Sequence, residues 1–363
     1  MTKNAYIHIP FCAKKCKYCT FISVDKLTLK NIYVDALIQD ISHYYENEKL
    51  NTLYIGGGTP SLLSINDFEN ILELFRLEDN YELTVEVNPE TVDKNYLKEL
   101  HNLGVNRLSI GIQSFDDNIL KNIGRIHNSQ TAINCVTDAQ KVGFENVNID
   151  LIYGLPNQDE NNFIKSLNTA LNLGIQHISL YGLKIEEGCD FFNNRPDFLP
   201  DDDNQADMYF AAIKILAENG FLHYEISNFA KDNYFSRHNL NYWNNNTYYG
   251  FGLNASGYQD NIRYVKIKNI EEYIKNPLGF EQKEKLTKEQ ILEEEIFLAL
   301  RKNTGINVKD LNEKFDINFE KKYSDIIKKY MDYKHLEKTS NGYKLTKEGI
   351  LQSNFVMSEF VSV

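Results

Sequence analysis

A chain of 363 residues suffices for one large α/β domain with a smaller companion, and 42% hydrophobic with 25% charged residues excludes collagen-like, disordered and disulfide-scaffold chains. Its 39 Lys and Arg against 51 Asp and Glu give a formal net charge of -12, a field that repels phosphate backbones, so nucleic acid is not an expected partner. No apolar run approaches the ~20 residues that span a bilayer, and MTKNAYIHIPFC lacks the basic and apolar regions of a signal peptide; no integral membrane segment is expected, and the expected location is the cytoplasm.

From the N-terminus, short β-branched runs alternate with stretches of helical period, the signature of repeated βα units on a parallel sheet. The strand candidates are 5–10, 52–56, 83–88, 107–113, 147–153 and 177–183. Helical segments lie near 29–47, 65–75, 93–103, 131–142, 159–173 and 204–219, several ending on a glycine such as Gly104, Gly143, Gly174 or Gly220 at the C-cap. Six such units build an open, partial (β/α)6 TIM-like barrel, two short of the eight that close one. After Tyr224 the pattern gives way to an aromatic, asparagine-rich stretch that reads as a cap. From about Leu286 short helices flank a turn-rich hairpin, an α+β winged-helix-like unit whose lysines are balanced by nearby carboxylates. The expected organisation is a barrel over 1–230, an aromatic cap or linker over 231–285 and the C-terminal unit over 286–363.

In a βα barrel the reactive groups gather at the C-terminal ends of the strands, and the distinctive residues of this sequence fall there. Cys12, Cys16 and Cys19 follow the first strand; they offer three thiolates where a structural zinc or a closed cubane takes four. One reading is a zinc site completed by His8 or another residue. The other is an iron–sulfur cluster with one iron open to a small molecule, to which it can pass an electron. Cys135 and Cys189 stand alone and are expected to be buried.

YIHIPFCAKKCKYC, with its CxxxCxxC spacing and Tyr18 before the last cysteine, resembles the radical SAM superfamily. LYIGGGTPSLL is similar to that superfamily's GGxTP element, whose glycines let backbone approach a ligand closely. HIPFC after Tyr6, VEVNPE, SIGIQSF, IGRIH and NIDLIYGLP extend the resemblance to the anaerobic coproporphyrinogen III oxidase family. The resemblance implies a radical SAM barrel holding a [4Fe-4S] cluster on Cys12, Cys16 and Cys19, with an electron donor protein to reduce it. Tyr6, Tyr18, Gly57 and Glu86 would contact the S-adenosyl-L-methionine bound to the cluster. Gly58, Thr59, Gln113, Arg125 and Asp150 match positions that hold a second S-adenosyl-L-methionine in the decarboxylating enzyme.

One departure redirects the expected function. The oxidase has a further cysteine two positions after the third, whereas here Cys19 is followed by Thr20 and Phe21, a feature of the HemW-like heme chaperone branch. That branch also has an HNxxYW element, matched by His238, Asn239, Tyr242 and Trp243. The resemblance implies a protein that holds heme or a porphyrin and passes it to client heme proteins, with His238 as a candidate heme ligand because a neutral imidazole suits heme iron. Two alternatives stay open: oxidative decarboxylation of coproporphyrinogen III by a deoxyadenosyl radical, and a radical SAM enzyme acting on another substrate.

Overall fold

The computed structural model describes residues 2–361. Six parallel strands, β1 (Asn4–Ile9), β2 (Leu50–Gly57), β3 (Leu77–Val87), β4 (Arg107–Gln113), β5 (Asn146–Tyr153) and β6 (His177–Gly182), lie side by side in chain order. Along each strand the parity is strict. Ile7 and Ile9, Leu53 and Ile55, Val85 and Val87, Leu108 and Ile110, Ile149 and Leu151, and Ile178 and Leu180 are fully or almost fully buried in the main apolar core. The residues between them, among them Tyr6, Tyr54, Glu86, Ser109 and Asp150, share the other face, because parallel register keeps equal parity in line across the sheet. The sheet thus has an apolar exterior and a polar, aromatic interior, and the interior is where a ligand can be met.

The crossovers are α1 (Lys30–Tyr44), α2 (Ile65–Leu72), α3 (Lys94–Asn102), the pair α4 (Asp117–Asn122) and α5 (Ser129–Val142), and α6 (Glu160–Asn172). Ser64, Asp93, Asp116, Asn128 and Asp159 accept backbone hydrogen bonds at the starts of α2 to α6. Gly104, Gly143, Gly174 and Gly220 all take positive φ just past helix ends, as their sequence positions suggest.

Beyond β6 come α7 (Asp190–Asn193), α8 (Asp202–Glu218), the strands β7 (Leu222–Glu225) and β8 (Asn228–Ala230), α9 (Arg237–Trp243) and β9 (Tyr249–Phe251). The full order is β7-β8-β6-β5-β4-β3-β2-β1-β9, with β8 antiparallel to β6 and β9 parallel to β1. The two outer strands do not pair, so the barrel stays open. The stretch read as an irregular cap therefore contributes β8, next to one edge, and β9 at the other, each too short to show a period.

A small antiparallel sheet of β10 (Ser256–Gln259), β11 (Ile262–Lys266) and β12 (Phe280–Lys285) follows, with α10 (Ile270–Lys275) between the last two. The C-terminal unit has helices α11 (Lys288–Arg301), α12 (Val308–Phe315), α13 (Phe319–Lys322), α14 (Ser324–Asp332), α15 (Lys347–Leu351) and α16 (Ser353–Ser358). They surround a three-stranded sheet of β13 (Ile306–Asn307), β15 (Gly342–Leu345) and β14 (Leu336–Lys338), an α+β arrangement of helices with a hairpin wing. Among the described residues, no helix is long and apolar enough to cross a membrane.

Candidate functional site

β1 ends at Ile9 and releases the chain into the cysteine loop. The loop is pinned back on the barrel: Val24 N–H donates to Pro10 O at 2.7 Å, Cys12 N–H to Val24 O at 3.1 Å and Lys17 N–H to Ile123 O at 3.0 Å. These bonds turn Cys12, Cys16 and Cys19 over the C-terminal ends of the strands, where all three line a cavity of about 370 Å³.

The same cavity is walled by Tyr18, Gly57, Gly58, Thr59, Glu86, Gln113, Arg125 and Asp150. Eight of the nine candidate cofactor residues therefore come together with the three thiols. Tyr6 does not line this cavity; it lies on the inner face of β1 against a second cavity, where its hydroxyl meets His8 Nδ1 at 2.9 Å. His8 lines that second cavity as well.

Donors converge on the sulfurs. Thr59 Oγ1 donates to Cys12 Sγ and Arg125 Nη1 to Cys16 Sγ, each at 3.6 Å. Burial raises the Cys12 thiol above its ordinary range, and the Thr59 hydrogen bond pulls it back. Arg125 is held by Asn88 Oδ1 at 2.8 Å and Gly111 O at 2.5 Å, and Glu90 lies 3.9 Å away. Burial opposes its charge, yet Tyr18, Cys16 and Glu90 together hold the guanidinium above its ordinary value. His127 supports Glu90 from behind at 3.1 Å.

The glycine turn is shaped by close approach. Gly57 has φ of +123°, and a Cβ there would fall 2.8 Å from the His8 ring. At Gly58 a Cβ would meet Phe11 O at 2.7 Å and Cys12 Sγ at 3.0 Å, so only hydrogen fits between turn and cysteine loop. Gly57 N–H and Tyr54 Oη both donate to the Glu86 carboxylate, at 3.0 and 2.7 Å. Burial nevertheless pushes Glu86 up to about 7, with those two hydrogen bonds opposing it. Asp150 is also raised by burial, against hydrogen bonds from Ser179 and Asn148. Gln113 sits at the β4 bulge with φ of +72°, a conformation that non-glycine residues avoid and that is found at ligand sites.

Sequence reasoning passed over Tyr54, Ser109 and Asn148, which support the carboxylates. Ser109 Oγ and Asn148 Nδ2 both reach Asp150, the latter at 2.7 Å. The one signal is parity: Tyr54 stands two residues from Gly56 of the glycine turn and Asn148 two from Asp150, and so each on the same face of its strand.

His238 lies elsewhere. Its Nδ1 meets Thr52 Oγ1, which itself donates to Asn4 Oδ1, so Nδ1–H is the donor in that 2.7 Å contact. Nε2 then accepts from Tyr242 Oη at 2.7 Å. The ring is 1% exposed, and burial lowers its basicity to about 3. Thr52 sits near the start of β2 and Gly57 at its end, which puts His238 five residues, roughly 16 Å, down the strand from the cysteine cavity. Both ring nitrogens of His238 are thus engaged within the protein, and its partner Tyr242 lines the second, larger cavity. Glu82 fixes the start of α9 by accepting from the N–H groups of Arg237 and His238, each at 3.0 Å.

Residues 6–170 match the Radical SAM superfamily, and residues 286–351 match the HemN C-terminal domain. The chain is similar to the heme chaperone HemW of Lactococcus lactis, 39% identical over 369 residues that cover 99% of this chain and 97% of that one. It is 34% identical to the heme chaperone HemW of Bacillus subtilis, covering 99% of each. Among solved structures, coproporphyrinogen III oxidase (HemN) of Escherichia coli, a radical SAM enzyme, shares the fold with a TM-score of 0.88 at 22% identity, over 99% of this chain and 90% of that one.

Proposed function

We propose, from the premise that this chain belongs to the HemW family of radical SAM proteins, that it is a heme chaperone: it carries a [4Fe-4S] cluster and S-adenosyl-L-methionine, holds heme and passes it to client heme proteins. The observation that carries this reading is the end-to-end identity with HemW relatives, which takes in a cysteine loop running on as Thr20-Phe21 with no fourth cysteine.

In this reading Cys12, Cys16 and Cys19 hold the cluster. A three-thiolate set around a cavity, with Thr59 and Arg125 donating to two of the sulfurs and hydrogen-only clearance at Gly58, fits such a group. When bound, the cluster supplies an open iron and one-electron chemistry, and an electron donor protein reduces it. Glu86, at about 7, accepts from a cationic amino group when ionised. Gly57 and Gly58 admit the cofactor's backbone-facing atoms, and Tyr18 covers one side. Gln113, Arg125 and Asp150 form the remaining polar wall. Tyr6 supports the cavity through its stack on Tyr54, with ring centroids 6.1 Å apart. His238 is the candidate heme ligand, with Tyr242 between its Nε2 and the larger cavity.

Porphyrinogen decarboxylation is the second reading, favoured by Arg125 and Asp150 in the cofactor cavity. Heme titration of anaerobically reconstituted protein, beside an assay for porphyrinogen decarboxylation, separates the two. Stoichiometric heme uptake without decarboxylated product is expected; product formation without heme uptake transfers the chain to the oxidase reading.

A further inference from the structure

Arg107 is the first residue of β4, in register with Thr84 of β3 and Asn146 of β5, and with them it faces the barrel interior. It is 2% exposed. Among the described residues its guanidinium has no ion pair and no hydrogen bond, and its Nε is buried without a partner. Thr84 Oγ1 and Asn146 Oδ1 beside it are buried and unpartnered as well. A cation so placed costs stability, because no ion pair offsets its desolvation. Its effect falls on groups that it does not touch.

Carboxylates stand along the barrel on either side of it. Glu82, two residues before Thr84, is committed to the N–H groups that begin α9. Glu86, two residues after Thr84, and Asp150, four after Asn146, lie one and two register rows up, on the cofactor cavity; a row is about 7 Å. β4 runs between the strands that carry these two acids. Burial raises both, and Arg107 opposes burial at both. The other groups that bear on Glu86 are Asp150, which raises it further, the Tyr54 hydroxyl and Gly57 N–H that bind it, and the hydroxyls of Tyr6, Tyr181 and Tyr242 from β1, β6 and α9. Arg125, the arginine of the cavity wall, is committed to Cys16, Asn88 and Gly111, while Lys14, Lys15 and Lys184 line the cavity as exposed side chains.

We propose that Arg107, which does not line the cofactor cavity, is the positioning residue that keeps Glu86 and Asp150 ionised to receive the cationic end of S-adenosyl-L-methionine. The proposal rests on the cofactor reading above. With both acids ionised and Arg107 beneath them, the group is short of one positive charge, and S-adenosyl-L-methionine, whose sulfonium and ammonium outweigh its carboxylate by one, supplies it.

The test is S-adenosyl-L-methionine binding to the cluster-reconstituted full chain, measured by calorimetry at pH 6 and pH 8. Methionine takes the place of the arginine without its charge and strands no partner, so Arg107→Met is expected to fold with its iron and sulfide content unchanged. Loss of the charge moves the Glu86 titration up from about 7 by about one pH unit. Wild-type protein is then expected to bind about tenfold more tightly than Arg107→Met at pH 6 and only about twofold more tightly at pH 8. Taking the ratio cancels the cofactor's own titration. Arg107→Lys, which retains the charge, is expected to follow the wild-type profile. An equal ratio at both pH values, the result of a merely structural loss, overturns the assignment while the cofactor reading stands, and so does wild-type affinity in Arg107→Met. Should that variant fail to fold, Arg107→Gln reads the same ratio. No binding by the wild-type protein at either pH overturns the cofactor reading and the proposal together.

Discussion

At the scale of single residues, Glu86 meets two opposed demands. It is buried, which favours the protonated acid, and it accepts two hydrogen bonds, which favour the carboxylate; burial prevails and the group titrates near 7. The folded pKa thus lies above the ordinary 4.5. The folded state binds the proton more tightly, so this group's contribution to stability is full below pH 4.5 and falls as pH rises through about 7. In cofactor-free protein, Glu86→Gln is expected to gain on the order of 2 kcal/mol over wild type between pH 5 and pH 8; parallel urea curves at the two pH values check it. The cysteines give a sharper outcome. Cys12→Ala, Cys16→Ala and Cys19→Ala should each abolish the brown chromophore and leave the far-ultraviolet circular dichroism unchanged, since a three-ligand cluster has no spare thiolate; full iron and sulfide retention in all three would refute the ligand assignment. These residues were legible because spacing alone sets thiols on one loop. The surroundings of His238 were not, because a motif names the imidazole and says nothing of Thr52 and Tyr242, which engage its two nitrogens.

Among elements, the tightest junction is between the β2 turn and the cysteine loop. Gly58 N–H donates to Ile9 O at 2.8 Å, and the space where its Cβ would stand is occupied by Phe11 O and Cys12. Gly58→Ala must push the loop away, and we expect it to lower cluster occupancy severalfold with little change in barrel stability; iron analysis alongside a thermal melt measures both. Strands β1 to β6 could be read from the sequence because each is long enough to alternate. β8 and β9, of three residues each, carry no period, and β9 finds its partner more than two hundred residues upstream. The two edges of the barrel were therefore invisible while its middle was plain.

In the whole molecule, the C-terminal unit is joined to the barrel through charge and ring contacts that no local pattern announces. Arg301 at the end of α11 lies 3.6 Å from the fully buried Glu225 of β7, and its guanidinium stacks 4.2 Å above the Trp243 ring. Backbone bonds from Ile226 N–H to Arg301 O and Asn303 N–H to Tyr224 O lie beside them. Removing one partner of a buried pair strands the other, so Arg301→Ala should cost about 2–3 kcal/mol, less than a fully buried pair because Arg301 keeps some exposure. Urea denaturation checks this figure. If the two units unfold as one, the melt stays a single transition at lower temperature.

The pairing of β1 with both β2 and β9 has a consequence in the order of synthesis. β1 and the three thiols leave the ribosome long before β9, and the strand gains its second neighbour only after residue 251 has been made. At 5–20 residues per second the interval is roughly 10–50 s. Throughout it the nascent chain displays reduced thiols on a loop whose supporting strand has one open edge. A cell making this protein must keep those thiols from oxidation over that window, and cluster insertion before the edge closes has to contend with a loop not yet held in place.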